Sequence, residues 1–292
     1  MKTTLNLFLV ICLMTCFSCN LINPAEELPG YIHIPRFEFS SQPGLGSSSE
    51  NITEIWVYSD AQFIGAYDLP ADVPVVNNGN TLMSFRAGIR TNGISNTREA
   101  YPFYTTDDRQ LNIVDLETDT IVPDFTYIEN IADPALLDDF DGGTLLVEES
   151  DSQVEMTTTQ DPEDVFEGSG SGKVVIGADQ TIFRAQSFDT FMDLPNNRRT
   201  FVELDYKCNN SFGIGLYSYR SDGSRDKNLA LILVPTTNEN GEEEWNKVYI
   251  DLLEITSSTP NATHYELYIE SLKDEGVTEA VMFFDNLKIL HF

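Results

Sequence analysis

Short runs of alternating hydrophobic and polar residues follow one another along the chain from residue 31 onward. Gly, Asn, Asp and Pro separate these runs at intervals of about ten residues, and a helical repeat of hydrophobic positions is nearly absent. A side-chain period of two over a short run is typical of a half-buried β-strand. The pattern therefore predicts an all-β protein built from β-sandwich domains.

The first block of strand candidates covers residues 31–130. Within it, Ile55 and Val57 would share one face of a strand, with polar or aromatic residues on the other face. The segments 102–104 and 122–127 contain proline, which cannot donate to a strand ladder, so we expect them at sheet edges or in linkers. This block is predicted to form one β-sandwich.

The second block covers residues 138–292 and contains eight strand candidates. In the segment 201–208, Val202 and Leu204 would face inward, and Glu203 and Asp205 would face outward. Eight or more strands in about 155 residues favour a jelly-roll sandwich. The candidate strands are residues 173–177, 182–186, 201–208, 212–219, 229–234, 245–252, 265–271 and 282–292.

The net charge of the chain limits the classes of molecule that it is expected to bind. The chain has 292 residues, 47 of them acidic and 17 basic, for a formal net charge of −30. A surface of this sign disfavours nucleic acid, because binding phosphates requires a basic surface that displaces counterions. It also disfavours electrostatic binding to anionic lipid. We expect no nucleic-acid partner.

The first residues predict an export signal. Lys2 supplies a positive charge, and residues 5–17 form a nearly unbroken apolar run that is too short to span a bilayer. Cys12, Cys16 and Cys19 lie in or directly after this run, without a fold or acidic and histidine partners to hold a metal. A disulfide framework would need cysteines spread through the mature domain.

The Ser18-Cys19 pair resembles a bacterial lipobox, in which a small residue precedes the lipidated cysteine. This resemblance implies that residues 1–18 are a lipoprotein signal peptide, that Cys19 carries lipid, and that residues 19–30 are a tether. An ordinary cleaved signal or an uncleaved anchor remain alternatives. The acidic chain resembles Bacteroidetes-type envelope lipoproteins, which implies an outer-membrane protein at the periplasmic face or the cell surface.

Two further resemblances concern the β-rich blocks. In the first block, "ITEIWVYSDAQFIGAYDLP" (52–70) and the Gly-bounded strand after it resemble bacterial PEGA or immunoglobulin-like domains. The second block resembles jelly-roll carbohydrate-binding modules through "DDFDGG", "GSGK", "WNKVYIDL" and the closing "FFDNLKILHF". The resemblances imply two β-sandwich domains, and a fold of this kind does not by itself define a function.

The jelly-roll resemblance implies a structural calcium ion, held by acidic residues of the opening and closing strands. Carboxylates and backbone carbonyls are the oxygen ligands that Ca²⁺ takes. The alternative is that these residues cap turns and accept backbone hydrogen bonds. No other cofactor is expected. The candidate calcium ligands are Asp138, Asp139, Asp141 and Asp285.

Aromatic residues on outward strand positions suggest a glycan site. Sugar rings stack on exposed aromatic faces with polar groups beside them, and Tyr217, Tyr219 and Trp245 are the candidates, with Arg220 in the adjacent loop. The alternative is that these rings pack in the core or in a half-buried sheet face.

Catalytic patterns are missing from the sequence. The loop 168–172 lacks serine at the position required by a nucleophile elbow, and the three histidines show no metal-binding spacing. Cys208 has no suggestive partner and is expected to be a small buried residue. Thr120 lies in an Asp-Thr-Ile sequence that resembles a Bacteroidetes O-glycosylation sequon.

Together these patterns predict a non-enzymatic, lipid-anchored envelope protein. The leading interpretation is a binding or scaffold subunit of an outer-membrane or cell-surface assembly, with an envelope protein as its partner. The first alternative is a glycan-binding lipoprotein that supports polysaccharide capture. A hydrolase, or an accessory protein to a glycoside hydrolase, is the third.

Overall fold

The structure is a computed structural model that describes residues 27–76, 79–129, 131, 133–188 and 192–292. The predicted signal peptide, the lipidation site Cys19 and most of the predicted tether lie outside the described residues. In the part of the chain that the structure describes, no helix has the length and apolar character required to cross a membrane.

The described residues form twenty-one β-strands and one short α-helix, which confirms the all-β prediction. We call residues 27–131 the N-terminal half and residues 133–292 the C-terminal half. The strands of the N-terminal half are β1 Gly30–Ile34, β2 Glu38–Ser40, β3 Glu54–Ser59, β4 Gln62–Tyr67, β5 Ala71–Val75, β6 Gly79–Arg90, β7 Arg98–Ala100, β8 Thr106–Ile113, β9 Thr118–Thr120 and β10 Asp124–Thr126.

The C-terminal half contains the remaining elements. They are β11 Leu136–Asp138, β12 Leu146–Glu148, β13 Met156–Thr159, β14 Ser171–Ile176, β15 Ile182–Ser187, β16 Thr200–Cys208, β17 Phe212–Tyr219, β18 Arg225–Leu233, β19 Asn246–Asp251, α1 Leu253–Ser258, β20 His264–Leu272 and β21 Ala280–His291.

The N-terminal half contains a five-stranded sheet in the order β4-β3-β6-β7, with β8 also paired to β6. A three-stranded sheet, β5-β1-β9, and the pair β2-β10 complete it. The alternation in β3 is as expected, since Ile55 and Val57 are fully buried. The segments 102–104 and 122–127 lie in a turn and in the two-stranded pair β2-β10, which agrees with the expected linker and edge positions, and their aromatic residues Phe103, Phe125 and Tyr127 are buried in the core.

The C-terminal half is a sandwich of two antiparallel sheets. One sheet has the order β13-β14-β21-β16-β19, with β11 also paired to β21, and the other has the order β12-β15-β20-β17-β18. Their facing side chains form one hydrophobic core that includes Val202, Leu204 and Phe284. Strand β21 lies in the middle of the first sheet, where it pairs with β14 on one side and with β16 on the other.

The two halves pack against each other through the outer face of the first of these sheets, which we call the covered sheet. Phe201, Tyr249 and Leu290 of this sheet belong to the hydrophobic core of the N-terminal half. Glu203 and Asp205 point away from the sandwich core as expected, yet both are buried, because the N-terminal half lies over them. The predicted outward direction of both residues is therefore confirmed, and the outer face on which they lie is covered by the N-terminal half.

The other sheet, β12-β15-β20-β17-β18, is called the free sheet here. Its outer face carries exposed residues such as Leu229 and Leu272, and the hydrogen bonds that cross between the described parts of the two halves reach the covered sheet and its flanking loops instead. The structure therefore leaves one broad sheet face open. The limits proposed for the two domains, 31–130 and 138–292, stay a prediction.

Candidate functional site

The outer face of the free sheet carries a dense group of tyrosine and charged side chains. Strand alternation places them there, because every second residue of an antiparallel strand points to the same face. Neighbouring strands then bring these residues side by side. The group, which we call the polar face, consists of Glu149, Arg184, Gln186, Tyr217, Tyr219, Arg225, Lys227, Glu266, Tyr268 and Glu270.

The charges of the polar face are paired. Glu270 accepts from Lys227 Nζ at 2.6 Å and from Arg184 Nε at 3.0 Å. Arg225 lies 3.1 Å from the carboxylate of Glu149. Burial alone would raise the pKa of Glu270, but the bonds from Lys227 and Arg184 outweigh it and hold the pKa below its ordinary value. The face is therefore balanced in charge although the whole chain is strongly acidic.

Tyr217 and Tyr219 point away from the sandwich core, as expected, but their rings are covered. Tyr217 is only 4% exposed, and the Arg225 guanidinium lies 3.8 Å from its ring centroid. The hydroxyl of Tyr219 donates to Glu266 at 2.6 Å, and its ring stacks on His264 at 4.4 Å. Neither tyrosine presents a bare ring face, and their role in ligand binding stays a prediction.

Tyr268, which the sequence analysis did not single out, occupies the middle of the polar face. Its ring lies 4.8 Å from that of Tyr217, and Lys227 Nζ is 4.5 Å from its centroid. Its hydroxyl is buried and has no hydrogen-bond partner among the described residues. The alternation of Glu266, Tyr268 and Glu270 along β20 is the sequence signal that could have identified it.

Space for this hydroxyl comes from a glycine. A Cβ atom on Gly215 would lie 2.7 Å from the Tyr268 hydroxyl and 2.2 Å from the carbonyl oxygen of Asn228. Both distances are shorter than side chains tolerate, so Gly215 permits the ring of Tyr268 to lie across β17. Burial raises the pKa of Tyr268, so its hydroxyl is protonated at neutral pH and can donate a hydrogen bond.

Arg220 lies beside the tyrosines in sequence but not on the polar face. It is exposed in the turn between β17 and β18, where it pairs with Asp226. Arg225 instead lies against the rings of Tyr217 and Tyr219. The structure therefore places a different arginine, at the start of β18, beside the predicted aromatic pair.

Trp245 lies on another part of the molecule. It directly precedes β19, at the edge of the covered sheet, and its ring is 5.1 Å from Phe166 and 6.3 Å from Phe283. Lys207 Nζ lies 5.4 Å from its centroid. Trp245 also lines a groove of about 500 Å³. The structure does not bring it together with Tyr217 and Tyr219.

The four aspartates proposed as calcium ligands accept hydrogen bonds from their neighbours. Asp138 accepts from the backbone N–H of Leu145 at 2.7 Å, Asp139 from that of Asp141, and Asp141 from that of Gly170. Asp285 accepts from the hydroxyl of Ser171 at 2.5 Å. The described ranges contain no group of three or more His, Cys, Asp or Glu side chains that could hold a metal. The calcium ion stays a prediction, and the described contacts match its alternative.

The structure also describes Thr120 and Cys208, the two remaining residues considered in the sequence analysis. Thr120 is exposed at the end of β9, so its hydroxyl is accessible, and its O-glycosylation stays a prediction. Cys208 is 1% exposed in the sandwich core, and burial raises the pKa of its thiol to about 12. This environment makes Cys208 a packing residue rather than a nucleophile.

Comparison with known proteins locates similar structures but no family. No protein-family model matches the sequence, and no curated protein matches it. Similar solved structures include β-sandwich carbohydrate-binding modules. The CBM22-1 xylan-binding domain of Paenibacillus barcinonensis Xyn10C is 13% identical with a TM-score of 0.37, covering 56% of this chain and 97% of its own.

Two more structures of this kind are similar to the chain. A CBM28 module specific for non-crystalline cellulose is 15% identical with a TM-score of 0.39, covering 54% of this chain and 94% of its own. A structure that addresses the promiscuous specificity of β-sandwich carbohydrate-binding modules is 14% identical with a TM-score of 0.42. It covers 91% of this chain and 99% of its own. Function has to be inferred from the side chains of this chain itself.

Proposed function

We propose that this protein is a non-catalytic glycan-binding protein whose binding surface is the polar face of the free sheet. The observation that carries the proposal is the hydroxyl of Tyr268, which is buried and unpartnered at the centre of paired charged side chains. Buried polar groups nearly always have a hydrogen-bond partner. A polar group without one, on a face rich in donors and acceptors, is suited to a ligand that supplies the missing partner.

The chemistry of the face fits a neutral, hydroxyl-rich ligand. Sugar hydroxyls both donate and accept, so they can bind to carboxylate, guanidinium, amide and phenol groups at once. Glu270 and Glu149 neutralise the basic side chains around them. A polyanion such as nucleic acid would meet this balanced face on a chain of charge −30. The charge pattern therefore favours glycans over charged polymers.

Arg225 and Lys227 give the face its adaptability. They lie over the rings of Tyr217 and Tyr268 at 3.8 and 4.5 Å, where cation–π attraction holds them. Both side chains are long and reach the face from β18, the edge strand. A sugar that displaces them gains two aromatic surfaces, while the cations remain close enough to bind its hydroxyls.

The sharpest test is Tyr268→Phe, which removes the unpartnered hydroxyl and nothing else. Screening the full chain on neutral polysaccharides and measuring affinity by calorimetry should show a loss of about three- to tenfold. Stability should stay the same or rise slightly, since a buried unpaired polar atom is removed. Tyr58→Phe, in the N-terminal half, is the matched control and should bind normally.

A second variant, Glu270→Gln, keeps the shape of the face and removes the charge that Lys227 and Arg184 share. It should also weaken glycan binding. Full binding by both Tyr268→Phe and Glu270→Gln, or no binding to any glycan at millimolar concentration, would show that the polar face has another role.

The proposal includes location at the bacterial envelope through lipid on Cys19. The apolar run of residues 5–17 followed by Ser18-Cys19 supports it. In cells, Cys19→Ala should abolish labelling by a fatty-acid analogue and move the protein from the membrane fraction to the soluble fraction. Cys16→Ala is the matched control and should leave labelling intact. Labelling of Cys19→Ala at the normal level would contradict lipidation at this residue.

A scaffold role is the second candidate, and one observation favours it. Leu229, Ile232 and Val234 are 50%, 59% and 63% exposed on and after β18, the edge of the free sheet. An exposed apolar edge strand is a common place for a protein partner to bind. Under this alternative, Ile232→Lys should release a stoichiometric envelope protein from the complex isolated in detergent, while Tyr268→Phe should retain it.

A further inference from the structure

The groove that Trp245 lines lies where the two halves meet, away from the polar face. It has a volume of about 500 Å³, within the range of small-ligand sites. Asn92 and Gly93, in the turn after β6, contribute one wall from the N-terminal half. The end of β18 and the residues up to Trp245 and Asn246 contribute the rest from the C-terminal half. We call it the composite groove.

The packing between the halves holds Asn92 in place. Its backbone N–H donates to the carbonyl oxygen of Tyr249 at 2.8 Å, and its side-chain oxygen accepts from the N–H of Asp251 at 3.0 Å. Its φ of +58° is a left-handed conformation, which asparagine tolerates better than most residues. The side-chain oxygen of Asn92 is thus used by β19, and its amide NH₂ makes no hydrogen bond within the described ranges.

The opposite wall combines an aromatic ring with amide and hydroxyl groups. The ring of Trp245 is fixed by Phe166 and by Lys207. Asn246 donates to the hydroxyl of Tyr206 at 3.2 Å, which leaves its carbonyl oxygen as an acceptor. Thr237 adds an exposed hydroxyl. Trp245 and Asn246 are held by contacts within the protein, so this part of the wall is formed before a ligand arrives.

The loop beside this wall is acidic. Glu244 accepts from the side-chain amide of Asn238 at 2.7 Å and lines the groove, and Glu242 and Glu243 are exposed next to it. Negative charge at the rim repels carboxylated or phosphorylated ligands. The groove therefore offers an aromatic surface, amide and hydroxyl partners, and a rim that disfavours anions.

We infer that the composite groove is a second binding site, which takes one or two units of a neutral sugar against Trp245, with Asn92 and Asn246 bound to its hydroxyls. This site is separate from the polar face, and it exists only when both halves are packed together. A ligand that fits both walls has a ring with an apolar side, which packs against Trp245, and neutral hydroxyl groups around that ring.

Intrinsic fluorescence can test the inference without relying on the polar face. The chain has two tryptophans, so Trp56→Phe leaves Trp245 as the only source of tryptophan emission. Titration of this variant with neutral oligosaccharides should give a saturable change in emission. The change should persist in Trp56→Phe/Tyr268→Phe, which affects only the polar face.

Groove variants in the same background complete the test. Asn92→Gly keeps the left-handed backbone and removes the amide, and it should weaken the titration about tenfold. Thr237→Val removes a hydroxyl from an exposed loop and should weaken it without unfolding, which circular dichroism checks. Oligosaccharides of uronic acid should bind more weakly than neutral ones, and Glu244→Gln should reduce that difference.

The outcomes separate the two sites. No change in Trp245 emission with any neutral oligosaccharide at millimolar concentration would overturn the inference, and so would a change that Tyr268→Phe removes but Asn92→Gly and Thr237→Val retain. Calorimetric binding that weakens in Tyr268→Phe, together with an unchanged titration of Trp245 emission, would support both sites independently.

Discussion

Asp285 shows how burial sets the chemistry of a single residue. It is 1% exposed in β21 and accepts hydrogen bonds from the Ser171 hydroxyl and from the N–H of Asn286. Burial outweighs these bonds and raises its pKa from 3.8 to about 7. A raised pKa means that the folded protein binds a proton more tightly than the unfolded chain does, so Asp285 favours folding at low pH and this contribution disappears as pH rises through 7.

Asp285→Asn should therefore become more stable relative to the natural protein as pH rises from 4 to 8. This change in relative stability is at most about 4 kcal/mol, and most of it occurs between pH 4 and pH 7. Urea unfolding of both proteins across this range measures the difference. Asp179→Asn, which changes an exposed carboxylate, is the control. Parallel curves of stability against pH for Asp285→Asn and the natural protein would contradict the raised pKa of Asp285.

Cys208 gives a second prediction at this scale. A buried thiol with a pKa of about 12 holds almost no thiolate at pH 8, and the thiolate is the reactive form. Iodoacetamide should leave the Cys208 peptide unmodified in the folded protein and modify it fully in urea, as peptide mass spectrometry would show. Rapid modification in the folded protein would mean that the thiol is accessible.

At the scale of elements, β17 is the strand on which the polar face depends. It carries both glycines that face outward from the free sheet, Gly213 and Gly215, and its pairing with β18 shifts register between Ile214 and Gly215. Side chains at these positions would separate β17 from the residues that lie across it. The strand therefore has hydrophobic side chains on its inner face, and its two outward glycines leave room for the ring of Tyr268 on its outer face.

Gly215→Ala should destabilise the protein by about 1–3 kcal/mol, because the new methyl group would contact the carbonyl oxygen of Asn228 and the hydroxyl of Tyr268. Glycan binding should fall with it, since the ring of Tyr268 has to move. Chemical denaturation and calorimetry measure the two effects. Gly142→Ala, where a Cβ meets open space, should change neither.

At the scale of the whole molecule, a buried group of charges joins the two halves. The carboxylate of Glu203 lies 3.4 Å from Lys247 Nζ and from Lys288 Nζ, and it accepts hydrogen bonds from Tyr101 and Tyr127. Burial acts to raise the pKa of Glu203, but the two lysines and two tyrosines outweigh it and lower the pKa below its ordinary value. Its contribution to stability is thus present above pH 4.5 and is lost as pH falls.

Glu203→Ala should cost about 3–5 kcal/mol, because it leaves Lys288 buried without a counter-charge and leaves Lys247 with Asp205 as its only partner carboxylate. Replacing Lys288 as well, in Glu203→Gln/Lys288→Met, should recover part of this loss. Urea unfolding at pH 7 provides the measurement. Glu38→Ala, which breaks the exposed pair with Arg36, should cost less than about 1 kcal/mol. A similar small effect of Glu203→Ala would mean that the network does not hold the halves together.

Strand-level features could be predicted because they depend on neighbours in sequence. The alternation along β3 and β16 identifies the faces of both strands, and the buried residues of β21 follow the same rule. The polar face was predicted in part: Tyr217 and Tyr219 do lie on it. Their cover by Arg225 could not be predicted, because the strand pairing that brings Arg225 against both tyrosines is a tertiary fact.

The sequence by itself determined that this is a β-sandwich protein, since period-two patterning needs no knowledge of distant residues. Only the tertiary structure decided which sheet face is available. Alternation shows that Glu203 and Glu270 both point away from the sandwich core, and it cannot show that the N-terminal half lies over Glu203 while Glu270 remains on an open face. Burial on the outer side of a sheet depends on what packs there, and the contacts that decide it join residues about one hundred positions apart.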